Sequence, residues 1–288
     1  MYIVSFHSIF SENALILSKR LNIEFTQEFT PKEGDVVIVF GAHEVADKLV
    51  AIQQQVKLHY IIIQTEQFYG KAFDNKYYLE LLENNALLDW SKENIKRIKK
   101  QIPEAKFYGQ YFYDCFIQEE LPAFESRTID FFFCGSHNPA RETMLSQFKK
   151  ENDEYNVEID FSYSYVNQGE YTEKLKNVKY VINIPFYKDN VLETQRINKA
   201  LSMGCRVISL PSIDNHLNQL YKEYVYFVPT LNEFSLLFEQ EPKKTYLNMV
   251  EAFGAYHIQT SLNSILTAEK KLKEKIPANE VVNGDPSV

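Results

Sequence analysis

The sequence predicts an α/β protein built from two successive units, each a parallel sheet with helices on both faces. Three observations carry this. Short apolar runs without polar alternation, Asp35–Phe40 (DVVIVF), Leu58–Ile63 (LHYIII), Ile129–Cys134 (IDFFFC) and Lys179–Ile184 (KYVINI), read as strands covered on both sides. Stretches of helical period separate them, the pattern of βαβ crossovers. The 288 residues exceed the common size of one core, and periodicity lapses once, between Asp114 and Arg127.

In chain order, Tyr2–Phe6 reads as a strand, Glu12–Leu21 as a helix, and Asp35–Phe40 as a central strand ending at Gly41. Val45–Gln55 is helical, Leu58–Ile63 a second central strand, Lys76–Glu83 a helix and Ala86–Asp89 a short strand. Ser91 is placed to cap a helix running to Gln101, and a strand follows over Lys106–Phe112. The segment DCFIQEELPAFESR, acidic and broken by Pro122, is the expected interdomain linker. The expected division is residues 1–120, joined by a returning helix at about 256–276, then 127–255, then a frayed tail at 277–288.

The second unit opens on Ile129–Cys134 and turns through Gly135-Ser136-His137-Asn138-Pro139. Asn138 as cap with Pro139 at the first helical position starts a helix to Lys150. Val157–Tyr163 reads as a strand and Glu170–Asn177 as a helix. From Lys179 to Leu210 the chain reads strand, turn, helix, strand: Tyr180, Val181, Ile182 and Ile184 stop at Pro185, Leu192, Ile197, Ala200 and Leu201 recur at helical spacing, and Gly204 takes the position after the helix. Tyr224–Val228 is the last strand, and Tyr246–Lys275 is helical with a break at Gly254. In open parallel sheets ligands bind beyond the carboxyl ends of the strands, so the polar turn 186–190, with Glu193 and Arg196 behind it, is expected to border a crevice.

Hydrophobic content of 45% and charged content of 24% are those of a globular protein, while 19 Tyr and 21 Phe point to aromatic cores or stacking surfaces. A net charge of −8 counts against a nucleic-acid partner. The one basic run, Lys92–Lys100, reads as a solvated helix face or as a weak contact with an anionic membrane surface. Cys115, Cys134 and Cys205 lack CxxC spacing and read as reduced, buried thiols. The opening MYIVSFHSIF has no basic leader and no apolar run approaches ~20 residues, so the expectation is a cytoplasmic protein. No DxD, HExxH, GxGxxG after a strand, GxxxxGK[ST] or GxSxG occurs, which excludes the usual signatures of dehydrogenases, P-loop ATPases and α/β hydrolases and leads to the expectation of no metal and no cofactor.

Three patches, VLETQRINKALSMGCRVIS, FFFCGSHNPARETML, and the pair IIIQTEQF and LLDWSKEN, resemble GT-B glycosyltransferases, in particular the retaining sugar-nucleotide transferases of bacteria and large DNA viruses. The resemblance implies two Rossmann-like domains facing a cleft, with a C-terminal helix returning to the first. It implies a nucleoside diphosphate sugar bound by the second domain and a glycan or lipid-linked acceptor presented by the first, with metal-independent transfer and retention. Residue by residue, it assigns the diphosphate to Gly135, Ser136, Asn138 and Arg141, and donor contacts to Tyr187, Lys188 and Asn190. It makes Glu193 and Arg196 the catalytic pair, the first for sugar or ribose hydroxyls, with Arg196 or Lys188 neutralising the leaving diphosphate. Gly41, Glu66 and Gln67 lie on the acceptor side, where His43 would orient an acceptor hydroxyl or serve as base in an inverting reaction. The chain departs from the family pattern of two glutamates eight positions apart: counting back from Gly204 gives Lys199 and Val191. That departure keeps a second reading open, a non-catalytic glycan- or partner-binding module of the same fold. A DNA glucosyltransferase of the same two-domain plan is disfavoured by the acidic charge.

Overall fold

The computed structural model describes every residue except 119, 162–167, 188, 234–242, 254–258 and 274–288. The first sheet is formed by β1 (Tyr2–Ser5), β2 (Glu24–Thr26), β3 (Val36–Phe40), β4 (His59–Ile63), β5 (Ala86–Asp89) and β6 (Lys106–Gln110). All six run parallel in the order β2-β1-β3-β4-β5-β6. Between them lie α1 (Ser11–Leu21), α2 (Ala46–Gln55), α3 (Lys76–Asn84) and α4 (Lys92–Gln101). The second sheet, β7 (Ile129–Cys134), β8 (Val157–Asp160), β9 (Val178–Asn183), β10 (Arg206–Ser209) and β11 (Val225–Phe227), is also parallel, in the order β8-β7-β9-β10-β11. Its helices are α5 (Pro139–Glu151), α6 (Gln168–Lys176), α7 (Thr194–Ser202) and α8 (Asn215–Tyr221); α9 (Tyr246–Phe253) and α10 (Gln259–Lys273) end the described chain.

Both sheets therefore have one winding. In each, the second strand lies outside the first and the third returns to the first strand's other side, which creates a switch point between β1 and β3 and another between β7 and β9. The central strands are buried throughout, because Val36–Phe40 and Ile61–Ile63 carry apolar side chains on both faces. Helices α2, α3 and α4 share one apolar layer, contributed by Leu49, Tyr78, Leu82 and Ile98. On the opposite face α10 returns to β4, β5 and β6 and approaches so closely that a Cβ at Gly109 would collide with Ser264.

Several expectations shift in detail. Strand β2 and helix α8 have no counterpart in the sequence reading: Glu24-Phe25-Thr26 is a three-residue polar edge strand, and α8 spans only Asn215–Tyr221. Helix α7 starts at Thr194, so Glu193 is its cap residue rather than part of its first turn. Gly204 follows α7 at φ 67°, the left-handed position expected for a glycine there. The segment after Asp114 is bolted down at its start. Arg20 pairs with the Asp114 carboxylate, Tyr246 donates to it at 3.1 Å, and Asn13 donates to the Asp114 carbonyl at 2.7 Å.

The two sheets are joined by direct ties. Trp90 donates from Nε1 to the Leu192 carbonyl at 2.9 Å, Asn198 donates to the Tyr113 carbonyl at 2.8 Å, and Ser91 Oγ donates to Asp214 at 2.5 Å. Lys199, at the position of the family's second glutamate, pairs with Glu12 of α1 at 2.8 Å. Trp90 is thus packed between the two sheets. The three cysteines are free and buried. Among the described residues no helix is long and apolar enough to cross a membrane.

Candidate active site between two switch points

The second domain's switch point is built around Arg141. Asn138 accepts from the Arg141 amide at 2.8 Å and so caps α5, with Pro139 at the first helical position. This sets Arg141 one half-turn in, pointing back under the strand ends, where it is only 1% exposed. Its guanidinium donates to the Ile184 carbonyl from Nε at 3.1 Å and to the Ser136 carbonyl at 3.0 Å. It lies between the rings of Phe133 and Phe186, at 5.3 and 5.2 Å.

Arg141 also reaches Glu193 Oε1 at 3.4 Å, and Glu193 Oε2 lies 2.8 Å from Arg196 Nη1 without the alignment of a hydrogen bond. Glu193 is therefore an anion held between two arginines. Arg196 is steadied by Asn183 Oδ1 at 3.3 Å, at the end of β9.

These contacts show how three of the expected positions are held. Arg141 is buried and donates to the backbone of the two loops, tying them together. Gly135 is required by packing, because a Cβ there would lie 2.7 Å from Phe133 and 3.1 Å from Arg141. Asn190 is buried, its amide donating to the Val191 carbonyl at 3.0 Å. Ser136 lends its carbonyl to Arg141, and Asn138 donates to the Phe186 carbonyl at 3.0 Å, so the 135–138 and 184–190 loops form one rim. Lys188 lies outside the described residues.

The first domain's switch point faces this rim. Gly41, at φ 68°, leaves β3 so close to the turn after β1 that a Cβ would meet His7 Cβ at 2.9 Å. The tight turn stacks His43 on His7 with ring centres 6.4 Å apart. His43 Nε2 lies 3.1 Å from Glu44 and 3.3 Å from Glu66, and Glu44 lies 3.9 Å from His7 Nε2. Burial lowers the His43 pKa against the pull of Glu44, while burial and the Glu44 charge push Glu66 up to about 7. Four titratable groups thus share the carboxyl ends of β1, β3 and β4. His43 and Glu66 were expected there; His7 and Glu44 were missed, although His7 follows a predicted strand and Glu44 adjoins His43.

The rims touch. Gln67 accepts from the Val191 amide at 3.1 Å, Arg97 donates to the Asp189 carbonyl at 3.1 Å, and Gln195 donates to the Ile9 carbonyl at 3.3 Å. A Cβ at Gly70 would lie 3.5 Å from Glu66 Oε2 and 3.6 Å from the Tyr187 hydroxyl, so Tyr187 spans the gap. A cavity of about 330 Å³ lies elsewhere, between β8 and α6, lined by Phe132, Cys134, Asp160, Tyr171 and Lys174.

The raised Glu66 pKa carries a stability prediction. Between its ordinary value of 4.5 and about 7, the folded chain holds a proton that the unfolded chain releases, so Glu66 makes stability fall as pH rises through that window. His43 acts in the opposite sense: its lowered pKa costs stability as pH falls below 6.5, where the unfolded chain takes up a proton. Glu66→Gln is expected to gain roughly 1–2 kcal/mol over the parent at pH 8 and little at pH 5. Urea titrations at the two pH values measure it, and an unchanged pH slope would remove Glu66 from the role of proton holder.

No protein-family profile matches the chain, and no curated protein matches it by sequence. Solved structures do match it. AviGT4, a glycosyltransferase involved in avilamycin A biosynthesis, is 8% identical and aligns over 90% of this chain and 88% of its own, with a TM-score of 0.50. The pneumococcal O-GlcNAc transferase GtfA, solved with UDP and GlcNAc, is 11% identical over 91% of this chain and 58% of its own, TM-score 0.41. TarM is 12% identical over 83% and 53%, TM-score 0.48. The chain thus spans little more than half the length of GtfA and of TarM. At such identities a likeness is one of fold, and it agrees with the topology: two like-wound parallel sheets with apposed switch points and a final helix returned to the first sheet. The chain has the two-domain GT-B fold.

Proposed function

We propose that the protein is a glycosyltransferase that takes a sugar from a nucleoside diphosphate donor held by the second domain and passes it to a glycan or lipid-linked acceptor presented by the first. The observation that carries the reading is the apposition of the two switch points, Glu193 and Arg196 on one side and His7, His43, Glu44 and Glu66 on the other. In this reading Arg196 stabilises the departing diphosphate and Glu193 holds Arg196 in place and meets donor hydroxyls. The acceptor hydroxyl is aimed by His43 and Glu66, and Tyr187 and Gln67 close the cleft over the reactants. The reading includes retention and no metal. A product of inverted anomeric configuration would make the His43–Glu66 pair a base, and loss of activity in EDTA would add a metal.

The second reading, a non-catalytic binding module, is favoured by one observation: Lys199, in place of the family's second glutamate, is consumed by Glu12. Thermal-shift measurement with nucleoside diphosphates, followed by a donor-hydrolysis assay, tests both. A diphosphate at ~100 times its dissociation constant is expected to stabilise the fold by ~2.7 kcal/mol. Stabilisation without turnover would favour the binding module, and no response to any nucleoside diphosphate would defeat the donor site.

A further inference from the structure

The first domain carries a surface that the proposed chemistry does not use. On α4 the side chains at 92, 96, 99 and 100 fall within about 100° of arc, since successive helical residues turn by roughly 100°. All four are exposed lysines, and the buried Asn94 and Ile98 lie on the opposite side, against the sheet. Among the described residues, Lys96 is the one of the four with a carboxylate within 4 Å, Glu93 at 3.5 Å. In a chain of net charge −8 this is a local excess of positive charge.

The same domain carries two exposed aromatic rings. Tyr69 is 52% exposed with the Arg97 guanidinium 4.8 Å above its ring, and Arg97 belongs to α4. Tyr77, on the first turn of the neighbouring α3, is 38% exposed with Lys76 4.8 Å from its ring. Tyr69 and the amino end of α4 lie at the carboxyl edge of the first sheet, beside the cleft, and Arg97 joins them to the opposite rim through Asp189. Exposed lysines with half-exposed, cation-bearing tyrosines on the same domain match the headgroup zone of a bilayer, where anionic lipids attract the cations and amphipathic rings settle at the interface.

We infer that the outer face of α4, with Tyr69 and Tyr77, docks on a bilayer rich in anionic lipid headgroups and brings the mouth of the cleft to the membrane surface. The docking is peripheral, made by surface charge and interfacial rings. It selects a lipid-linked acceptor over a soluble glycan, a choice that rests on the functional reading above; vesicle binding is measured without donor or transfer, so the two can fail separately.

The test is co-sedimentation of the full chain with vesicles of phosphatidylglycerol and phosphatidylcholine in equal parts, against vesicles of phosphatidylcholine alone. Binding to the first and not the second is expected, with release at about 0.5 M salt, where surface charges are screened within a few ångströms. The exposed triple variant Lys96→Glu/Lys99→Glu/Lys100→Glu, checked for native circular dichroism, is expected to lose about a hundredfold in vesicle affinity. A charge reversal elsewhere, Lys149→Glu/Lys150→Glu on α5, controls for net charge and is expected to retain most of the binding. Equal partitioning onto both vesicle types, equal loss in both variants, or binding of an oligonucleotide or acidic peptide through these lysines without vesicle binding would overturn the proposal.

Discussion

Arg141→Met is expected to destabilise the protein by about 3–5 kcal/mol, the range for removing one partner of a buried charged network. The guanidinium satisfies the Ile184 and Ser136 carbonyls and balances Glu193, and it fills the space between Phe133 and Phe186. Methionine replaces some of the volume and none of the donors, leaving two carbonyls and a carboxylate short of partners in a site with little water. Arg141→Lys is expected to recover little, because one ammonium on a flexible stem cannot serve carbonyls of two loops with the geometry of a planar fork. Urea unfolding of the three proteins decides it; a lysine variant within about 1 kcal/mol of the parent would show that charge alone suffices and that the fork has no bridging role. The expected consequence for the site is local as well, because Arg141 touches the 135–138 turn, Ile184 after β9 and the α7 cap residue Glu193 together.

That arginine also marks where the sequence stops being readable. The strands with apolar residues on both faces, Val36–Phe40, His59–Ile63 and Ile129–Cys134, are found within a residue of their expected bounds, because burial on two sides leaves an unbroken apolar run. The Ser91 and Asn138 caps are equally local, since side chain and amide are three residues apart. Arg141, two residues beyond Pro139, carries the same local signature as any arginine in a first helical turn. Its partners at Ile184 and Glu193 come from another βα loop, and only the β7–β9 switch brings that loop beneath it. Glu24–Thr26 was missed for a related reason: an edge strand of three residues gains its identity from pairing with Tyr2–Val4, and its own composition is polar.

The same limit applies to the candidate site. Loop positions at strand ends were identifiable because parallel sheets send ligands there, and His43, Glu66, Gln67, Tyr187, Glu193 and Arg196 do gather at the apposed rims. Which of them remain available to a ligand is a matter of tertiary pairing. Asn190 and Arg141 are polar in sequence and spent in structure, while His7 joins the cluster only because Gly41 brings β3's exit turn against it. The departure from the resembled acidic pair has a structural counterpart, for Lys199 pairs with Glu12 of α1 across the two domains. In that position a lysine ties the two sheets together, and the proposed electrostatic role at the cleft belongs to α7's other end.

There the largest effect on the proposed transfer is expected. Arg196→Ala is expected to lower kcat/KM about 10²–10³-fold, the loss that follows removal of one preorganised group facing developing negative charge. Arg196 is less buried than Arg141, its side chain being 19% exposed against 1%, and its contacts to Asn183 and Glu193 orient it. Its removal should therefore leave stability within about 1 kcal/mol of the parent. Glu193→Gln separates the two roles of the carboxylate: it keeps the shape and a hydrogen-bonding oxygen but deletes the charge between two arginines, so Arg196 is freer to move and the rim becomes more positive. If Glu193 serves chiefly to position Arg196, the variant should bind nucleoside diphosphate more tightly and turn over more slowly, lowering KM and kcat together. If it contacts donor hydroxyls, KM should rise. Parental rates in both Arg196→Ala and Glu193→Gln would take this pair out of the chemistry and leave the first domain's His43–Glu66 cluster as the place to look for it.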